Sequence, residues 1–150
     1  MFVRAGIVLL RDSNFFGHNL TASIWHDGEA NKDHKFVIKN SFFDGANNFP
    51  LERFHREAQF YFIGCTFSAN MADRNIYQAK ANPERELIWG DDRIYFHNCR
   101  GIKINYSWHA DNLNLSEENP SPEDITPIWV FNNQWDPVSI LDSLEKKLKN

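Results

Sequence analysis

The chain has no surplus of positive charge. Its 16 Lys and Arg are outnumbered by 20 Asp and Glu, giving a formal charge of −4 over 150 residues, so no basic face is on offer to nucleic acid. Long apolar runs are missing too: none approaches the roughly 20 residues needed to cross a bilayer. The apolar start, MFVRAGIVLL, is stopped by Arg11 and Asp12 and is too short and poorly flanked for a secretion signal. Two cysteines cannot build a disulfide scaffold. The six His residues form no i, i+4 zinc pair and no Cys-His cluster. There is no glycine-rich phosphate loop and no Gly-x-Ser-x-Gly elbow. No cofactor and no metal is therefore expected; the adjacent pair Asp91-Asp92 is a weak calcium candidate that reads more simply as a solvated turn.

What the chain does have is aromatics, 15% of residues, with 13 Phe. They recur in short runs: KFVIKNSFF (35–43), QFYFIGCTF (59–67), RIYFHNCRG (93–101) and PIWVFNNQW (127–135). Each leads to a small or amide residue, Asn40, Gly64, Asn98 and Asn132, spaced 24, 34 and 34 apart, and GIVLLRDSNFF (6–16) reads as a fifth member. Repetition at such spacings marks a solenoid. Runs this short and this rich in Phe, Tyr, Val and Ile suit strands rather than helices. The expectation is an all-β parallel β-helix, residues 1–150 forming one domain, with equivalent strands about 4.8 Å apart and the amide residues at the bends. The competing reading is an antiparallel sandwich. Cys65 and Cys99 each follow a bend residue, so they are neighbours in one column, within disulfide range or simply as buried thiols.

DPVSILDSLEKKLKN (136–150) reads as an amphipathic helix. Asp136 is the N-cap, Pro137 holds the first position, and Ile140, Leu141, Leu144 and Leu148 share one face. Over residues 137–150 it is expected to cap the open end of the coil. The start has no comparable cap, so the chain is expected to be the rear part of a longer β-helix or to lean on a partner there.

The long connections 68–92 and 100–126 are where function concentrates on such a scaffold. Asp73 lies eight residues past Cys65 and Asn105 lies six past Cys99, so stacked coils make them neighbours. Two carboxylates that close keep one proton between them, one serving as acid and the other attacking or activating water; an Asn at one position removes that pair. Asp111 is a further candidate if its loop folds back, and His109 beside it is a candidate substrate contact. Tyr77, Trp108, Trp89 and Trp25 offer flat faces to a ligand's rings in a groove across the coils, or pack the core.

RFHREAQFYFIGCTFSANMADRNIYQ, WGDDRIYFHNCRG, NYSWHADNL and EDITPIWVFNNQWDP together resemble the pectinesterases, most closely a branch typical of gut Bacteroidetes. The resemblance covers most of residues 35–137. It implies a right-handed, single-stranded, pectin-lyase-like β-helix that hydrolyses methyl esters of polygalacturonate to pectate and methanol. It implies that Asp73 is the general acid then base. It aligns Ala72 with the oxyanion-binding Gln and Asn105 with the nucleophilic Asp, and it sets Tyr106 and Trp108 at the flanking aromatic positions. An amide cannot replace a carboxylate as nucleophile, and Ala72 offers no side-chain donor. No Gly-Arg-Pro-Trp segment is present for the substrate-orienting Arg, which leaves Arg74, Arg93 and Arg100 as substitutes. By resemblance the partner is pectin or another uronic-acid polysaccharide, and the location is extracellular or periplasmic. The alternative reading is a polysaccharide-binding module that keeps the groove without catalysis, or a β-helix serving only in assembly.

Overall fold

A computed structural model of the chain describes residues 2–3, 6–18, 22–26, 31, 33–54, 58–73, 76–78, 94–106 and 108–149, without the side chains of Phe2, Val3, Phe54, Tyr77 and Gln78. The chain makes four similar passes. The first lays down β1 (Phe2–Val3), β2 (Val8–Arg11) and β3 (Asn14–Gly17); the second β4 (Ile24–His26), β5 (Lys35–Lys39) and β6 (Phe42–Gly45). The third contributes β7 (Glu52–Phe54), β8 (Gln59–Ile63) and β9 (Thr66–Phe67), and the fourth β10 (Tyr77–Gln78), β11 (Ile94–His97) and β12 (Arg100–Gly101). Among the described residues three four-stranded sheets result, ordered β1-β4-β7-β10, β2-β5-β8-β11 and β3-β6-β9-β12. Every strand pairing among the described residues is parallel. The antiparallel sandwich is thereby excluded.

A single residue makes each bend between the second and third sheets. Asp12, Asn40, Gly64 and Asn98 all take positive φ, between 50° and 62°, the left-handed region that Gly, Asn and Asp tolerate best. Their amides are not wasted: Asp12 N–H donates to Lys39 O at 3.1 Å, Asn40 N–H to Ile63 O at 2.8 Å, and Gly64 N–H to His97 O at 2.8 Å. The residue after each bend forms a second column, Ser13, Ser41, Cys65 and Cys99. Each donates its hydroxyl or thiol to the carbonyl two residues back, at 2.8, 2.9, 3.7 and 3.6 Å in turn.

Inward side chains stack like on like. Phe36 lies on Phe60 and Phe62 on Phe96, both with ring centroids 5.0 Å apart, and Phe15 on Phe43 at 4.5 Å. Offset aromatic pairs of this kind are worth roughly 0.5–1.5 kcal/mol beyond their buried area. The outward row of the second sheet, Leu9, Val37, Tyr61 and Tyr95 in register, is covered as well. Leu113, Ile125 and Val130 from the C-terminal segment pack on it and are fully buried. Burial on both faces explains why QFYFI reads as a continuous apolar run, since all five of its residues are buried.

Lysines pin that covering segment down. Lys39 Nζ donates to Ile125 O at 2.9 Å, and Lys35 Nζ donates to Asn132 Oδ1 at 2.5 Å while lying 4.3 Å from the Trp129 ring centre. The last run along the chain departs from the strand reading. Residues 127–135 contain α1 (Pro127–Val130) instead of a strand, because Thr126 Oγ1 accepts from the Trp129 amide and Pro127 sits at the first helical position. Asn132 does have positive φ, but it ends this helical turn and bends no sheet. The helix expected near the C-terminus forms as α2 (Pro137–Leu148), with Asp136 Oδ1 accepting from the Val138 and Ser139 amides at 3.1 and 3.2 Å. Its capping role is corrected: Val138, Ile140, Leu141, Leu144 and Leu148 are all exposed, and no residue of the helix is buried.

Candidate functional site

Beyond the third sheet, the segments that follow β9 and β12 meet along one seam. After β9, residues 68–73 fold back, with Ala72 N–H donating to Phe49 O at 2.8 Å. After β12 the chain reverses so tightly that a Cβ on Gly101 would lie 2.2 Å from Ile104 O, an approach only glycine allows. The reversal drives Tyr106 and Trp108 into the seam. Tyr106 Oη donates to Ser68 O at 2.5 Å and to Met71 O at 3.1 Å, and Trp108 Nε1 donates to Ala72 O at 3.0 Å. Two aromatic anchors thus clamp the 104–109 segment onto the 68–72 segment.

This geometry reassigns several sequence-derived residues. Tyr106 and Trp108 are 4% and 5% exposed, so their rings close the core and their polar tips are spent on carbonyls; they offer no face to a sugar. His109 belongs to the same cluster, its ring 5.5 Å from that of Trp108 and 5.9 Å from that of Phe67. Asp73 and Asn105 are both exposed and adjoin the residues that these anchors tie together, so the seam gathers both. Asp111 is held elsewhere: its Oδ1 lies 3.1 Å from His97 Nδ1 at the end of β11. The neighbouring Asn112 side chain meanwhile bonds the β11 backbone at Phe96 N and Ile94 O. Arg100 is exposed in β12 opposite Thr66. Arg74, Trp89, Asp91, Asp92 and Arg93 lie outside the described residues, as does the Tyr77 side chain.

Two features escaped the sequence. The first is Asp44, the in-line neighbour of Ser68 one pass away. Its Oδ1 accepts from Ser68 Oγ at 2.5 Å, Asn70 Nδ2 at 3.0 Å and the Gly45 amide at 2.8 Å. These bonds, the Ser68 hydroxyl foremost, hold its carboxyl below the usual range and keep it ionised. Burial first, then the charges of Asp73 and Asp44, push the Tyr106 phenol up. The seam thus holds two carboxylates, Asp44 and Asp73, around one phenol. The only sequence signal was the Asp44-Gly45 turn dipeptide, which gives no register.

The second feature is on the outer face of the first sheet. Trp25, Arg53 and Tyr77 are register partners in successive strands, and the Arg53 guanidinium lies 4.5 Å from the Trp25 ring centre. A cation stacked on an indole is attracted to it, and a guanidinium carries its N–H donors in a planar fork. The sequence offered Trp25 and Tyr77 singly; the register that places Arg53 between them depends on where each pass begins.

No metal-binding group of three or more His, Cys, Asp or Glu occurs among the described residues, and none of their helices is long and apolar enough to cross a membrane. Comparison with family models, with curated proteins and with solved structures finds no match to this chain.

Proposed function

We propose that the chain is a right-handed, single-stranded, pectin-lyase-like β-helix of pectinesterase type that hydrolyses methyl esters on polygalacturonate, an exported protein acting on pectin. What supports the reading is the seam, where Asp44 and Asp73 each act on the Tyr106 phenol and Asn105 is the residue before it. The ionised Asp44 attacks the ester carbonyl while Asp73 gives its proton to the departing methoxide; a water deprotonated by Asp73 then hydrolyses the acyl–Asp44 anhydride, releasing the product carboxylate and restoring both Asp residues. Asn105, unable to act as nucleophile, is left to hydrogen-bond the substrate. The anticipated disability of an Asn at that position is offset by a carboxylate from the preceding pass.

Methanol release from methylated pectin tests this. The wild type is expected to turn over, and Asp73→Ala and Asp44→Asn each to lower the rate by about 100-fold or more with the fold retained by circular dichroism. Turnover unchanged by both substitutions would refute the site.

A second reading, binding without turnover, is favoured by the Arg53–Trp25 stack, which needs no carboxylate pair to engage a uronate. Its marker is retardation of the protein in gels containing pectate, lost in Arg53→Ala, with no methanol from the wild type. Gain of turnover in Asn105→Asp would then identify a disabled esterase.

A further inference from the structure

Cys65 and Cys99 are the only two cysteines of the chain, and both thiols are free. They occupy the same place in successive passes. Thr66 and Arg100, the residues after them, are Cα partners, as are Ile63 and His97 two residues before, and the Arg100 amide donates to Cys65 O at 3.0 Å. Parallel register at this point fixes the Cα separation near the strand spacing of about 4.8 Å, inside the range a disulfide spans. The side chains point the same way. Cys65 is buried in the phenylalanine core and Cys99 packs against that core at its edge, and each thiol lies near enough to the other to shift its acidity. In the two earlier passes the position holds Ser13 and Ser41, with the same bond to the carbonyl two residues back. The column therefore needs only a small donor, and thiols are not demanded by packing.

We propose that Cys65 and Cys99 form an intramolecular disulfide site, a staple between the third and fourth passes that closes under oxidising conditions. The oxidant is a small-molecule disulfide such as oxidised glutathione. Cys99, the half-buried thiol, attacks it as the thiolate, forming a mixed disulfide and expelling one thiolate. Cys65 then displaces the second, giving the Cys65–Cys99 bond and two molecules of thiol; the two protons lost by the cysteines end on those thiols. Cys65 is buried and Cys99 half-buried against the core, so exchange in the folded protein is slow. The bond is set most readily while the chain folds.

The test is refolding of the full chain in an oxidised/reduced glutathione buffer, then denaturation, alkylation and intact mass. The expected product is a monomer two hydrogens lighter that takes up no alkyl group, with the Cys65 and Cys99 peptides linked. Its Tm is expected to exceed that of the reduced chain by about 5 °C, to fall back with dithiothreitol, and not to shift in Cys65→Ser or Cys99→Ser. Two alkylatable thiols after oxidative refolding, a persistent glutathione adduct, a disulfide-linked dimer, or an oxidised monomer with a lower Tm would each overturn the proposal.

Discussion

Glu52 is the residue least at ease in this fold. It points inward in β7, in register with Ile24, is fully buried, and has no hydrogen-bond partner for either carboxylate oxygen among the described residues. Burial alone raises its pKa well above the ordinary value, so it stays protonated where an unfolded chain would ionise. Below a pH of about 4.5 it is protonated in both states and costs the least. As pH rises above that value the unfolded chain sheds the proton and the folded one does not, and stability falls by up to about 1.4 kcal/mol per pH unit until the folded pKa is reached. Glu52→Met is expected to stabilise the protein at pH 7, with the gap narrowing toward pH 4 in parallel urea titrations. An equal gap at both values would show that Glu52 ionises in place. The same scale shows why Trp108 reads equally as a ligand contact or as core: an aromatic with a polar tip looks alike in sequence whether the tip meets a sugar or a backbone carbonyl.

Among the elements, the one-residue bends were the most legible. Their signal is local, an amide or glycine directly after a short apolar run, and it needs no knowledge of partners. Asn98 is exposed with φ 50°, so substitution there tests backbone conformation with little packing change. Asn98→Val is expected to cost roughly 1–2 kcal/mol and Asn98→Gly to stay within about 0.5 kcal/mol of wild type, read from urea midpoints. Similar losses for both would mean that the Asn side chain matters more than φ. The run at 127–135 misled for an equally local reason. Its aromatic residues match the strand runs, yet Thr126-Pro127 starts a helix, and the capping signal outweighs the β propensity of Ile128, Trp129 and Val130. For α2 the sequence supplied the boundaries and the N-cap but not the docking, because an apolar stripe names no neighbour.

Across the whole molecule, the repeat made parallel stacking legible, and with it the nearness of the Asp73 and Asn105 segments. The partnership of Asp44 with Ser68 and of Arg53 with Trp25 was not, since passes of unequal length hide which residues fall in line. Nor did the sequence reveal that the C-terminal segment wraps the second sheet. That wrapping sets a distinct prediction. Val130, the last residue of α1, is fully buried against the sheet, and Val130→Asp strands a charge there, a loss of about 3 kcal/mol or more. The expected result is a lower Tm and new binding of a hydrophobic dye at temperatures where far-UV circular dichroism still reports the strands. Loss of dichroism and of dye exclusion at one temperature would mean that wrapping and sheets melt as a unit.

The four bend residues stand 28, 24 and 34 positions apart along the chain, yet they share one hydrogen-bonded column. Surplus length therefore leaves the ladder between the end of one third-sheet strand and the start of the next second-sheet strand, as slack does between evenly spaced pegs. Variation between relatives of such a protein has room there, and a grafted loop there leaves the pitch intact. One residue added inside the tight second-to-third-sheet corner, by contrast, would turn every later side chain of that strand from interior to exterior.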